Sequence, residues 1–160
     1  MFKKVLAGSL LAALTVAPAV SADGFGYRGW GPRGGVTAEP DQVHFGAHLD
    51  FGHIADRVRF QPNAEFGIGD DASTFAINGE ATYRFVQRWD AWSPYAGAGV
   101  GLNIVSLDEE NGGDTSSDLG VNAIVGLERG LSNGSRLFLE GKFGLVDSPD
   151  FKFTVGGMIY

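Results

Sequence analysis

Between Val58 and Phe85 apolar and polar residues alternate with a period of two. Val58, Phe60, Ala64, Phe66 and Ile68 share one parity; Arg59, Gln61, Asn63, Glu65, Gly67 and Gly69 share the other. After Asp70-Asp71-Ala72-Ser73 the pattern restarts, with Phe75, Ile77, Gly79, Ala81, Tyr83 and Phe85 against Thr74, Ala76, Asn78, Glu80, Thr82 and Arg84. Successive side chains on a strand point to opposite faces, so this stretch predicts a hairpin with one apolar and one charged face.

The same rhythm recurs along the chain. Val43 to Gly52 reads as a strand, with Val43, Phe45, Ala47, Leu49 and Phe51 on the apolar side; His53 to Arg57 connects it to the hairpin. Trp92 to Leu107 sets Trp92, Pro94, Ala96, Ala98, Val100, Leu102 and Ile104 against Tyr95, Gly97, Gly99, Gly101 and Asn103. Leu119 to Glu128, Leu137 to Leu145 and Phe151 to Tyr160 complete the set, with the tight-turn dipeptide Asn133-Gly134 between two of them. A weaker alternation over 30–38 contains Pro32. With no amide donor, proline is expected at an edge or in the first residues of a strand. Residues 23–29 read as a flexible lead-in, and Asp108 to Ser117 as the longest and most polar connection. The count is eight strands with no useful helical periodicity, which predicts an all-β antiparallel barrel or sandwich.

Alternation does not say which face is inside. In a soluble lipocalin-like barrel Phe and Leu fill the core; in a membrane barrel they face lipid around a polar interior. Four features favour lipid. The polar face carries Arg33, Arg59, Arg84, Lys142 and Lys152 against Asp50, Glu65, Glu80, Glu128 and Glu140, a set able to neutralise itself when buried. That face also holds Gly67, Gly69, Gly97, Gly99, Gly101, Gly120, Gly126 and Gly144, which weaken an exposed strand but leave room in a narrow interior crowded by arginines. With the C-terminus periplasmic, 38–42, 69–73, 108–117 and 147–150 lie outside, and Trp30, Phe51, Tyr83, Phe85, Trp89, Trp92 and Tyr160 gather near the periplasmic rim as an aromatic girdle. The chain also ends on an aromatic residue. The expected interior network is therefore Arg33, Asp50, Arg59, Glu65, Glu80, Arg84, Glu128, Glu140 and Lys142. In the last strand Phe151, Phe153, Val155 and Ile159 exclude Tyr160 by parity, so a bulge at Gly156-Gly157 is expected to turn Met158 and Tyr160 outward.

Composition adds the compartment. Residues 1–22 read as a signal peptide, with Lys3 and Lys4, an apolar run from Val5 to Val16, and small residues before a cleavage expected near Ala22. The apolar run is far short of the roughly 20 residues a spanning helix needs. Cleavage removes two of the 12 basic residues and none of the 19 acidic ones, leaving ten against nineteen, a net charge of −9. So acidic a chain, without a basic patch in its sequence, argues against nucleic-acid partners. There is no cysteine, hence no disulfide framework and no lipid-modified cysteine.

The leader, eight alternating segments, glycine-rich strands and terminal aromatic together resemble the small bacterial outer-membrane β-barrel proteins, the eight-stranded OmpA-transmembrane, OmpX and OmpW-like group. RGGVTAEPDQVHFGAHLDFG (33–52), FQPNAEFGIGDD (60–71) and SPYAGAGVGLN (93–103) are the segments most like that group. The resemblance implies an up-and-down transmembrane β-barrel over 30–160, an outer-membrane location in a Gram-negative envelope, contact with outer-membrane lipid and lipopolysaccharide, and assembly through the C-terminal strand. Gly156, Met158 and Tyr160 then match the signal read by the barrel-assembly machinery, with Met158 where an aromatic is usual. No catalytic residue comes with the resemblance.

Candidate chemistry is sparse. His44 and His48 lie about 13 Å apart on a strand and do not share a metal ion. His44, His48, His53, Asp50 and several serines supply hydrolase ingredients without diagnostic spacing, so no enzyme and no cofactor is expected. The acidic loop from Asp108 to Asp114 lacks the register of a calcium loop. Gly97-x-Gly99-x-Gly101 lies inside a strand with no helix after it, so it is not a phosphate loop. The leading expectation is a structural or envelope-integrity membrane protein with a side-chain-filled lumen. The alternatives are a soluble periplasmic barrel carrying a small apolar ligand and a narrow gated channel. Oligomeric state is left open.

Overall fold

The structure, a computed structural model, describes residues 24–109 and 112–160; the expected signal peptide and Glu110-Asn111 lie outside the described residues. Eight strands follow one another around a closed antiparallel barrel: β1 Phe25–Ala38, β2 Gln42–Ala55, β3 Val58–Ile68, β4 Ala72–Arg84, β5 Trp92–Leu107, β6 Thr115–Gly130, β7 Arg136–Val146 and β8 Phe151–Met158. Each strand pairs with its sequence neighbours, and β1 closes on β8 from Arg33↔Gly156 to Ala38↔Phe151. Closure leaves no sheet edge, so backbone donors and acceptors are satisfied without water.

The central hairpin pairs without interruption from Val58↔Tyr83 to Ile68↔Ser73. Its one-residue parity then propagates around the barrel. Val43, Phe45, Ile68, Ile77 and Val100 are each more than half exposed, whereas Arg33, Asp50, Arg59, Glu65, Glu80, Glu128, Glu140 and Lys142 are at most 7% exposed. The apolar rows therefore face outward and the ionic rows inward, which excludes a lipocalin-like apolar core.

Four local expectations change. β1 begins at Phe25, so most of the expected lead-in is strand, and Phe25 pairs with Gly52. Pro32 lies within a doubly paired strand rather than at an edge; the β1–β8 ladder is interrupted there, between Arg33↔Gly156 and the Trp30–Ile159 bridge, because proline has no donor to give. The connection after β5 spans 108–114, since Thr115, Ser116 and Ser117 pair with Ser106, Val105 and Ile104. It is no longer than the 85–91 connection at the opposite end. The expected bulge at Gly156-Gly157 is absent: β7 and β8 pair regularly through Phe138↔Gly156, Leu137↔Gly157 and Arg136↔Met158. Met158 is consequently buried and Ile159 exposed. A register shift does occur in β2 between His48 and His53, where Gly52 takes φ 74°, a left-handed conformation suited to glycine.

Candidate functional site

The lumen is the candidate site. Inward-facing positions of β1, β3, β4, β7 and β8 bring six ionised groups to its centre. Arg33 Nε meets Glu65 at 2.8 Å, its Nη2 meets Glu140 at 2.8 Å, and Nη1 lies 3.7 Å from Glu80. Lys142 pairs with Glu80, and lies 3.5 Å from Glu65 and 3.8 Å from Glu140. Lys152 pairs with Glu65. Three cations thus meet three carboxylates, each carboxylate shared by at least two cations, and Tyr95 donates to Glu140 at 2.8 Å. Buried charge is tolerated when it is paired and hydrogen-bonded in this way.

A second centre lies at the barrel end that carries both described chain ends. Glu128 accepts from Arg59 Nη2 at 2.7 Å, lies 3.4 Å from Arg136 Nη1, and pairs with the half-exposed Arg84. Asp50 lines the same end but makes no direct ion pair with these arginines among the described residues. It accepts from the Gly52 amide at 2.7 Å and the Tyr160 hydroxyl at 3.0 Å. The nine expected network residues therefore divide: Arg33, Glu65, Glu80, Glu140 and Lys142 form the central centre, Arg59, Arg84 and Glu128 the end centre, and Asp50 a separate turn-and-hydroxyl contact.

Several lumen residues were not singled out from sequence. Along β7 the inward order is Arg136, Phe138, Glu140, Lys142, so a ring separates the two charged centres. Phe138, Tyr95 and Ile124 form a buried cluster. Arg33 lies over the Phe138 ring at 5.6 Å and His48 meets it edge-on at 5.1 Å. Two inward glycines make room for these rings: a Cβ on Gly126 would collide with Tyr95, and one on Gly156 with Phe138; Gly67, Gly99 and Gly101 instead face the side chains of Gln42, Asn122 and Asn78. The cross-strand pairs Tyr95↔Gly126 and Phe138↔Gly156 are the signal that names them, once register is known. The voids left among these side chains at the two flanks of the central centre are about 10 Å³ each, the space of a single water.

The histidines do not form a relay. His44 holds Thr37 Oγ1 at 2.9 Å and Thr154 Oγ1 at 3.0 Å through its two ring nitrogens. His48 packs on Phe138, and His53 is exposed. Among the described residues no group of three histidine or carboxylate side chains is placed to hold a metal ion.

Of the expected girdle, Trp30, Tyr83, Phe85 and Trp89 are exposed at the same end as the chain termini, with Phe51 and Trp92 partly covered. Tyr83 and Phe85 meet edge-on at 5.4 Å, and Trp89 and Trp92 exchange backbone hydrogen bonds of 2.8 and 3.1 Å. Phe25 and Tyr27, from the expected lead-in, join them by packing on Phe51 at 6.0 and 6.4 Å. Tyr160 differs from the expectation. Without the bulge its parity is inward, and it lies under Arg136, 5.2 Å from the guanidinium to the ring centre, while bonded to Asp50.

No protein-family model and no curated protein sequence matches the chain. Solved structures do. The Neisserial surface protein A superposes with a TM-score of 0.64 at 15% identity, covering 83% of this chain and 95% of that one. The N-terminal β-barrel domain of Pseudomonas aeruginosa OprF superposes with a TM-score of 0.61 at 14% identity, covering 83% and 97%. This chain has the fold of the small eight-stranded outer-membrane barrels. The outer membrane enzyme PagL shares it as well, with a TM-score of 0.51 at 14% identity over 83% of this chain and 99% of that one. At these identities the likeness is one of fold.

Proposed function

We propose that this protein is an integral outer-membrane β-barrel with a structural, envelope-integrity role, its lumen closed by interlocked side chains. One observation carries the membrane part: large apolar side chains are exposed on the outer face of every strand while the charged rows are buried. Such a surface is unstable in water and fits lipid. The closed lumen supports a non-conducting role, because an eight-stranded barrel is only wide enough for the side chains that fill it. With His44 held by two threonines, the histidines favour a non-catalytic reading. Outer-membrane lipid and lipopolysaccharide are the proposed surroundings, and the barrel-assembly machinery, engaging the strand that ends in Tyr160, the proposed assembly partner. The test is membrane fractionation followed by detergent extraction and heat-shift electrophoresis. Recovery in the outer-membrane fraction with heat-modifiable migration is expected; recovery as a detergent-free soluble periplasmic protein would refute the reading.

A further inference from the structure

The charges are sorted along the barrel axis. Among the described residues, the connections 39–41, 69–71, 108–114 and 147–150 at one end contain nine carboxylates and no lysine or arginine. Every arginine except Arg33 lies at or near the opposite end. There a cavity of about 400 Å³ opens, lined by Arg28, Arg59, Arg84 and Arg136 together with Asp50 and Tyr160. The four guanidiniums come from β1, β3, β4 and β7, so the barrel wall itself converges them on one space.

Their local counter-charge is incomplete. Arg59, Arg84 and Arg136 share the single carboxylate of Glu128. Arg28 donates to a neutral acceptor, the Gly24 carbonyl, at 2.9 and 3.2 Å. Among side chains, Asp50 and Glu128 stand against four arginines, two positive charges in excess before the α-carboxylate of Tyr160 at the same end is counted. Arg59 is also more than nine-tenths buried and its Nε has no hydrogen-bond acceptor. The central centre sets three cations against three carboxylates, whereas this end has more cations than carboxylate side chains. Arginine recognises oxyanions by paired, charge-assisted hydrogen bonds, and a partly enclosed space strengthens them.

We propose that this vestibule binds a phosphate-type oxyanion, held by Arg28, Arg59, Arg84 and Arg136. The site is a dead end, because Phe138 and the central ion pairs close the lumen behind it. It lies at the level of the aromatic rim formed by Tyr83, Phe85, Trp89 and Trp92, within reach of both a free phosphate and a phospholipid headgroup. Both present the same chemistry.

The test is titration of the refolded full-length mature protein with inorganic phosphate, read by amide NMR shifts. It is run in maltoside micelles, which carry no phosphate, and in nanodiscs of phosphatidylglycerol. The variant is Arg28→Gln with Arg84→Gln; both side chains are substantially exposed, and identical strand spectra establish that it folds. Saturable shifts around Gly52, Arg59 and Arg136 are expected in maltoside, with about tenfold weaker binding in the variant. Weaker phosphate binding in phosphatidylglycerol than in maltoside identifies the lipid headgroup as occupant; equal affinity in both identifies the free anion. Absence of saturable shifts, or equal response of the wild type and the variant, overturns the proposal.

Discussion

Replacing Arg33 by Met gives the sharpest test of the central centre. The guanidinium contacts Glu65 and Glu140 at 2.8 Å and lies 3.7 Å from Glu80. In the variant three carboxylates face only Lys142 and Lys152, and one buried negative charge is uncompensated. A unit pair at about 4 Å is worth about 4 kcal/mol at an effective dielectric of about 20. Desolvation offsets part of that attraction, and removing one partner of a buried pair costs about 3–5 kcal/mol in measured cases. Arg33→Met is therefore expected to destabilise the barrel by about 3–5 kcal/mol. Glu140→Gln alone should cost a comparable amount, since it leaves Arg33 in excess. The double variant restores three-to-three balance as two against two, with Lys142 and Lys152 facing Glu65 and Glu80. Its cost should fall short of the sum of the singles by about 1–3 kcal/mol, as expected for residues in one network. Reversible urea unfolding in lipid vesicles measures all three. Additive costs, or a single variant as stable as wild type, would show that the charges do not act as one unit.

Further outcomes follow from other parts of the barrel. Ile77, in the middle of β4 and half exposed, should lose about 2–4 kcal/mol on replacement by Arg if its surroundings are lipid; unchanged vesicle unfolding would contradict the orientation. Gly156→Ala places a methyl group against the Phe138 ring and should cost about 1–3 kcal/mol by overpacking, and Phe138→Leu in the same chain should recover part of it in the same unfolding assay. Planar bilayers containing the wild-type protein should show no steady conductance, because Phe138 and the central ion pairs, flanked by single-water voids, block the middle of the lumen; regular open-channel currents would require the ion pairs to part. Removing Tyr160 takes away the hydroxyl on Asp50 and the ring under Arg136, and is expected to lower the yield of heat-modifiable barrel in cells; wild-type yield would dismiss the terminal residue as an assembly determinant.

The eight strands and their facing were legible because alternation is a local property. Phe45, Phe66 and Ile77 declare a face that Glu65 and Glu80 oppose, whatever the partner strand. What escaped was set by register or by backbone chemistry across strands. Tyr95 and Phe138 share the polar parity, but nothing within β5 or β7 shows that each faces a glycine on the next strand. The division of the nine charged residues into a balanced and an unbalanced centre likewise depends on which strands stand opposite across the lumen. The glycines around Phe25 and Tyr27 suggest a lead-in, yet the first pairs with Gly52 and both pack on Phe51. The terminal bulge was expected in order to send Tyr160 to lipid. Asp50 and Arg136 supply an inward partner instead, and the ladder stays regular.

These points bear on why the lumen is ionic at all. Buried ion pairs add little net stability over a well-packed apolar filling. Their value here lies in what they exclude. The six central charges come from five strands, and each carboxylate touches cations from at least two of them. A one-residue slip of any such strand turns its whole polar row toward lipid and its apolar row into the lumen. Exposing a lysine or arginine at mid-bilayer costs about 2–4 kcal/mol, and the abandoned partners remain buried and unpaired. An apolar filling carries no such penalty, because leucine and phenylalanine are accepted on either face of a barrel in lipid. The inward charges therefore select one register from the several that hydrogen bonding alone permits. Gly126 adds to the selection, since a one-residue slip would set Tyr95 opposite Val125 or Leu127 instead of a residue without a side chain.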